Sequence, residues 1–286
     1  MSDDAEGTFE ACRGHLRAVA YRMLGSVSDA EDVVQEAFLR WRAVDVGGVN
    51  EPRAFLTRIT TRLCLDQLKS ARVQRETYVG TWLPEPLVTP EPTELSDDLS
   101  IALLMALERL SPLERAAFLL HDVFDVDYPA IAETLERSEV ACRQLAARAR
   151  EHVRNDQPRF ATSPDASERV MAAFLSAMVS GDIGALAELL AEDAIFYTDG
   201  GGKRRAALHP IEGRPKILRF VQGIARKYGL PPPEGAERAW LNGLPGLLLY
   251  GADGVETIAL GVHQGRIAAL YGCRNPDKLR HLPQRA

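Results

Sequence analysis

No apolar run in this 286-residue chain approaches the roughly twenty residues that a helical bilayer span requires. A membrane protein is therefore not expected. Cysteine is scarce: Cys12, Cys64, Cys142 and Cys273 are scattered and form no CxxC pair, which argues for reduced thiols and against a zinc site. The opening MSDDAEGTFE is acidic and lacks the basic-then-apolar layout of a secretory signal, so a cytoplasmic location is expected. Excess positive charge is missing as well, since 34 basic against 40 acidic residues leave a net charge of −6. What is present, 46% hydrophobic and 26% charged residues, is the composition of a folded chain. Its length suits about two domains of roughly 100–200 residues each.

The net charge conceals a pattern. Residues 37–76 hold eight basic residues against four acidic, and residues 136–154 hold five against three. Between them, residues 77–135 hold eleven acidic residues against two basic. Two basic blocks in an acidic background are candidate footprints on phosphates, on a chain that should hold nucleic acid poorly by itself.

The first block lies in helical sequence. Phe9, Cys12, Leu16, Val19, Ala20 and Met23 recur at helical spacing. In GSVSDAEDVVQEAFLRWRAV, Ser28 is the expected N-cap with Glu31 in capping-box position, and Asp29, Glu31 and Asp32 fill the first turn. After Gly47-Gly48, Pro52 opens a third helix whose Phe55, Leu56, Ile59, Leu63 and Leu68 face inward. Arg58, Arg62, Lys69, Arg72 and Arg75 occupy its other sides.

Residues 77–98, TYVGTWLPEPLVTPEPTELSDD, read as an extended proline-rich linker, although Trp82 and Leu83 are too apolar for a spacer and are expected to dock. Helices resume at 99–154. Ser111 caps one of them with Pro112 at its first position, and DYPAIAETL, the turn ERS and SEVACRQLAARAREHVR form a helix-turn-helix. Its second helix offers Arg143, Gln144 and Arg148 to bases and phosphates, with Ser138 at its start. After a break at NDQPRFATSPD, residues 165–286 carry a long and a short helix. Strands are expected at AIFYTD, AALHPIEG, GLLLYGA, VETIALGVHQG and RIAALYGCR, with one helix, GRPKILRFVQGIARKYG, among them. Helices first and strands later indicate α+β in the second half.

The order of these parts resembles the extracytoplasmic-function sigma factors over residues 9–154. DAEDVVQEAFLRWRA resembles the region 2 segment that docks on the clamp helices of the polymerase β′ subunit, which implies a polymerase role for Asp29, Asp32, Gln35, Phe38 and Trp41. FLTRITTRLCLDQLKSARVQRE resembles the part that melts and reads the promoter −10 element, implying that role for Arg58, Arg62, Lys69 and Arg72. Arg62 stands where many members of the family carry Asn, so the resemblance implies a different base reading at the −10 element as an expectation. Residues 107–151 resemble region 4, which contacts the −35 element and the β flap, here through Ser138, Arg143, Gln144 and Arg148.

Three motifs narrow the likeness to a subgroup with a fused SnoaL-like domain of the nuclear-transport-factor-like fold. They are Trp82-Leu83-Pro84-Glu85-Pro86, Asp199-Gly200-Gly201-Gly202-Lys203 and Asn275-Pro276-Asp277-Lys278-Leu279. The resemblance implies two all-α sigma domains at 1–76 and 99–154, linkers at 77–98 and 155–164, and a cone-shaped α+β domain at 165–286. That last domain would regulate the sigma activity in cis. The implied partners are core RNA polymerase and promoter DNA, with a small-molecule ligand open for the C-terminal pocket and neither cofactor nor metal expected.

The glycine triplet before Lys203 superficially suggests a phosphate cradle. A Walker A loop needs G-x-x-x-x-G-K-[ST] between strand and helix, whereas Arg204 follows Lys203 and no earlier glycine has the right spacing. A tight turn between strands is expected instead. The tail's relatives in fold include isomerases and cyclases, and Tyr197, Asp199, His209, Tyr250 and His263 are the candidate acids and bases. Fold kinship alone carries no chemistry. A one-component helix-turn-helix regulator and an enzyme with a DNA-tethering arm stay open on the residues alone.

Overall fold

The computed structural model describes residues 2–44, 48–76, 78–90, 100–156, 164–229 and 235–284. The chain forms two compact units: Met1–Thr77 with Ala102–Gln157, and Tyr78–Ile101 with Pro158–Ala286. The helices expected for both sigma regions group together, and residues 78–90 group with the C-terminal part.

The first unit begins with α1 (Ser2–Leu24), α2 (Val27–Arg42) and α3 (Pro52–Glu76). Phe9, Leu16, Val34, Ala37, Trp41 and Leu56 form their common core. The cap of α2 differs from expectation. Gly25, at φ +68°, turns the chain out of α1, and Ser26 in extended conformation accepts the Asp29 amide at 3.1 Å. Ser28 then lies inside the first turn, and Glu31 pairs with Arg17 of α1 at 3.0 Å. On α3 the inward face is more polar than the leucine spacing suggests. Leu56 and Leu68 are buried, but so are Thr57, Thr60 and Thr61. Thr57 and Thr61 donate to the carbonyls of Arg53 and Thr57, each at 2.8 Å, which satisfies hydroxyls that burial would otherwise penalise.

The same unit continues with α4 (Ile101–Glu108) and α5 (Pro112–Phe118), which passes into a π-helical turn at Leu119–Val123. Ser111 and Glu114 make the full capping box at the start of α5. Next, α6 (Tyr128–Leu135) and α7 (Glu139–Asp156) are the helix-turn-helix. Between them Glu136 takes a left-handed conformation (φ 54°), and the Ser138 hydroxyl accepts the Ala141 amide at 3.2 Å to start α7. Arg115, 3% exposed, reaches the end of α1, donating to the Met23 carbonyl at 2.6 Å and pairing with Glu108 at 3.2 Å.

The second unit is a seven-stranded sheet covered by three helices. Its elements are β1 (Val88–Thr89), α8 (Pro164–Ser180), α9 (Ile183–Leu189), β2 (Leu190–Asp199), β3 (Ile211–Glu212) and α10 (Arg214–Tyr228), followed by β4 (Ala236–Leu241), β5 (Leu244–Gly251), β6 (Gly254–His263) and β7 (Arg266–Cys273). The order is β1-β4-β5-β6-β7-β2-β3. β2 and β7 are parallel, whereas the other neighbours are antiparallel. Val170, Phe174, Leu186, Leu190, Ile217, Leu260 and Leu270 lie in the core between helices and sheet.

Three expectations change here. AALHPIEG contributes only Ile211–Glu212 to the sheet: Leu208 is 60% exposed, and Pro210 supplies no ladder donor. AERAWL is a strand that the sequence reading missed, because its burial does not alternate and the prolines before it suggested loop. Finally, residues 78–90 are packed chain. Val88 and Thr89 pair with Leu241 and Trp240, adding an edge strand to the sheet.

Candidate functional site

Asp199, at the end of β2, is completely buried and organises a polar cluster of the second unit. One carboxylate oxygen accepts from the Tyr78 hydroxyl at 2.5 Å and the Gly201 amide at 3.0 Å. The other accepts from the Leu83 amide at 2.8 Å and from Lys278 Nζ at 2.7 Å. Lys278 also donates to the Leu83 carbonyl and lies over the rings of Trp82, at 4.3 Å, and Tyr78, at 4.8 Å. Asn275 donates to the Tyr78 hydroxyl at 2.9 Å, and Lys203 pairs with Asp277. Burial holds Lys278 below the ordinary lysine value, an effect that the Asp199 carboxylate opposes. Burial, reinforced by Asp199, pushes the Cys273 thiol up to about 12. All four cysteines are free thiols.

The three motifs singled out in the sequence therefore meet in one place. Leu83, Pro84, Glu85 and Pro86 are buried against the sheet, and Leu279 is buried at the short 3-10 turn Pro276–Leu279. The glycine triplet is a turn, and its lack of side chains has a purpose. A Cβ on Gly201 (φ +59°) would stand 2.2 Å from the Asn275 amide nitrogen, and one on Gly200 would stand 2.1 Å from the Arg204 carbonyl oxygen. Sequence reasoning missed Tyr78, Asn242 and His281. Asn242 exchanges two hydrogen bonds with Leu87, at 2.8 and 3.0 Å, and the His281 ring meets the Pro86 carbonyl at 2.8 Å. Three polar residues this far apart in the chain cannot be linked from one sequence, but the Asn242-Gly243 turn between β4 and β5 was a readable signal.

In the first unit, the exposed face of α2 carries Asp32, Gln35 and Leu39, the last 53% exposed. Leu39 is an addition to the expected set, at helical spacing from the other two. Asp29 is half-buried, and Phe38 packs its ring 4.9 Å from Phe9. Trp41 must be corrected: it is fully buried and donates to the Ala5 carbonyl at 2.7 Å, so it builds the bundle and offers no surface. On α3, Arg58 pairs with Glu133, and Arg62 donates to the carbonyls of Glu133 (2.9 Å) and Thr134 (3.1 Å) and pairs with Glu136 at 3.1 Å. Arg58 and Arg62, two of the arginines of the first basic block, are thus engaged by the end of α6. Lys69 pairs with Asp66 in solvent, and the side chain of Arg72 lies outside the described residues. On α7, Arg143, Gln144 and Arg148 are exposed. Arg143 pairs with Glu139 and stacks over Tyr128, while Arg148 pairs with Glu114. Ser138 is occupied in capping the helix.

A three-helix bundle followed by a basic helix-turn-helix is what two family matches describe. Residues 8–73 match Sigma-70 region 2 and residues 100–153 match Sigma-70, region 4. The chain is also similar to the ECF RNA polymerase sigma factor SigJ of Mycobacterium tuberculosis, 42% identical across 96% of this chain and 93% of that one. The chain belongs to the ECF sigma factors. The crystal structure of M. tuberculosis SigJ superposes with a TM-score of 0.78 at 39% identity, covering 97% of this chain and 99% of SigJ, so the likeness includes the C-terminal α+β domain. Probable ECF sigma factor SigI of the same organism is 37% identical over 66% of this chain and 67% of its own length. As an ECF sigma factor the protein acts in transcription initiation, and neither the one-component regulator nor the tethered enzyme is favoured.

The candidate acids and bases of the tail do not converge. Asp199 faces residues 78–83, Tyr197 stacks on Tyr271 at 5.4 Å, and His209 and His263 are exposed. Only Tyr250 lines the cavity of this domain, and its hydroxyl donates to Glu237 at 3.3 Å.

Proposed function

We propose that this ECF sigma factor is regulated in cis by its own C-terminal domain, which clamps residues 78–90 and thereby controls how far the two promoter-reading modules can part. The observation that carries this is the buried Asp199–Lys278 pair with Leu83 hydrogen-bonded to both members. Residues 78–90 make up more than half of the chain between α3 and α4. While they are clamped, the tether between α3 and α4 is short. Once they are released it lengthens, and two weak DNA contacts joined by a suitable tether gain affinity through effective concentration.

Asp32, Gln35 and Leu39 are the polymerase-facing residues of this reading, with Asp29 and Phe38 beside them. Arg58, Arg62, Lys69 and Arg72 read the −10 element, and Arg143, Gln144 and Arg148 the −35 element. Arg58 and Arg62 contact DNA only after α6 gives them up. Their carboxylate partners, Glu133 and Glu136, are 66% and 74% exposed, and pairs so exposed are worth about 0–1 kcal/mol, so polymerase and promoter can displace them. The protein works in the cytoplasm and carries out no catalysis of its own.

Run-off transcription with purified core polymerase and no other sigma tests this. The full chain initiates at a cognate promoter, and Trp82→Ala, which removes one ring from Lys278, changes the output at least threefold with both units still folded. Failure to initiate refutes the sigma role, and unchanged output from Trp82→Ala refutes the clamp.

A further inference from the structure

Between α8, α10 and the sheet lies a cavity of about 380 Å³. Its walls are apolar: Phe174 from α8, Phe196 from β2, Phe220 from α10, Leu249 from β5 and Leu270 from β7. One end is different. There Arg205, Glu256, Arg274 and Thr198 line the space. Glu256 accepts from Arg274 Nε at 2.9 Å and from a terminal Arg274 nitrogen at 2.8 Å, and pairs with Arg204 at 3.1 Å. Arg205 and Arg274 thus line this end together with two carboxylates, Glu256 and the exposed Asp253, while Arg204, outside the lining, offsets part of the Glu256 charge. A site of this size, apolar for most of its length and cationic at one end, suits a small amphipathic acid.

The same two strand ends build both the cavity and the clamp. Thr198 lines the cavity, while its neighbour Asp199 points to the opposite face of β2 and holds Tyr78 and Leu83. Arg274 lines the cavity, and its neighbour Asn275 holds Tyr78. The Arg274 amide donates to the Asp199 carbonyl at 2.7 Å, joining the two ends directly. An anion drawn to Arg274 competes with Glu256 for the guanidinium and pulls on the backbone that positions Asn275 and Lys278.

We propose that this cavity binds an apolar organic acid, a medium-chain fatty acid or a one- to two-ring aromatic acid, and that its occupancy is transmitted to residues 78–90. The binding half stands by itself, and the transmission half rests on the clamp proposed above.

The experiment uses the full chain, with 1-anilinonaphthalene-8-sulfonate as reporter and decanoate, 1-decanol and decyltrimethylammonium as competitors. One saturable site is expected, with decanoate displacing the reporter at least tenfold more effectively than the cation. Arg205→Gln, on an exposed residue, weakens decanoate at least threefold and leaves decanol unchanged. Leu249→Trp, which fills the cavity, abolishes binding of all three with an unaltered circular dichroism spectrum. Hydrogen exchange of residues 78–90 changes at least threefold on adding decanoate. Equal displacement by acid and cation, or binding that survives Leu249→Trp, overturns the site. Binding without any change in exchange overturns the transmission. A clamp that fails in transcription while decanoate still binds refutes the regulatory reading alone.

Discussion

Lys278→Met removes the cation from the buried cluster while nearly preserving its volume. Lys278 and Asp199 have side chains 9% and 0% exposed, and breaking such a pair generally costs about 3–5 kcal/mol because one charge is left buried and unpaired. The low end applies here. Asp199 keeps three donors, the Tyr78 hydroxyl and the amides of Leu83 and Gly201, whereas Lys278 takes away one contact to Asp199, one to the Leu83 carbonyl and two ring contacts. A loss of about 3 kcal/mol, confined to the opening of residues 78–90, raises the open population about a hundredfold. The assay is hydrogen exchange resolved to the Leu83 and Leu87 amides, whose acceptors are the Asp199 carboxylate and the Asn242 side chain. Both should exchange about a hundredfold faster than in the parent, with the amides of α1 and α2 unchanged. Adding Asp199→Asn removes the orphaned charge but sets an NH2 against one of the donors that the carboxylate accepted from, so only about 1 kcal/mol of the loss should return. Exchange within twofold of the parent in Lys278→Met would show that the pair does not hold this segment.

Other consequences are open to direct measurement. Gly201→Ala should lower the melting temperature of the second unit by several degrees, since its Cβ would collide with Asn275; Gly223→Ala, in α10 with nothing within 4 Å, should raise it slightly, and equal effects would dismiss the steric account. His15 is held at about 4, first by burial and then by Arg53 and Arg22, so the unfolded chain binds the extra proton between that value and 6.5. Stability should therefore fall as pH drops from 6.5 toward 4, and urea titrations of His15→Gln should lose that part of the dependence. Glu133→Gln should free Arg58 and raise the salt concentration needed to elute the protein from heparin, by a modest amount because the carboxylate is 66% exposed. No change there, or earlier elution, would mean that Arg58 is not restrained by this pair.

The elements whose information is local were legible. Pro52 opened α3, Ser111 with Pro112 opened α5, and the ERS turn separated α6 from α7, because caps and turns are chosen by residues within one turn of helix. Even so, Ser26 displaced Ser28 as the cap of α2, since the end of α1 at Gly25 decided where the next helix could begin. The three motifs of the clamp stood out as sequence, but not the residue that completes it. Tyr78 and Asp199 are 121 positions apart, and nothing near Tyr78 announces a carboxylate.

Composition, charge blocks and cap chemistry by themselves determined a helical, basic-patched first half, a strand-rich second half and a glycine turn that is no phosphate loop. Only the tertiary structure decided that Trp41 is interior, that Arg58 and Arg62 are spoken for by α6, and that residues 78–90 pack with the C-terminal domain, adding Val88 and Thr89 to its sheet. The reason is desolvation. Whether a charge, a ring or an amide meets water or a distant partner depends on which faces close over it, and no local spacing carries that choice.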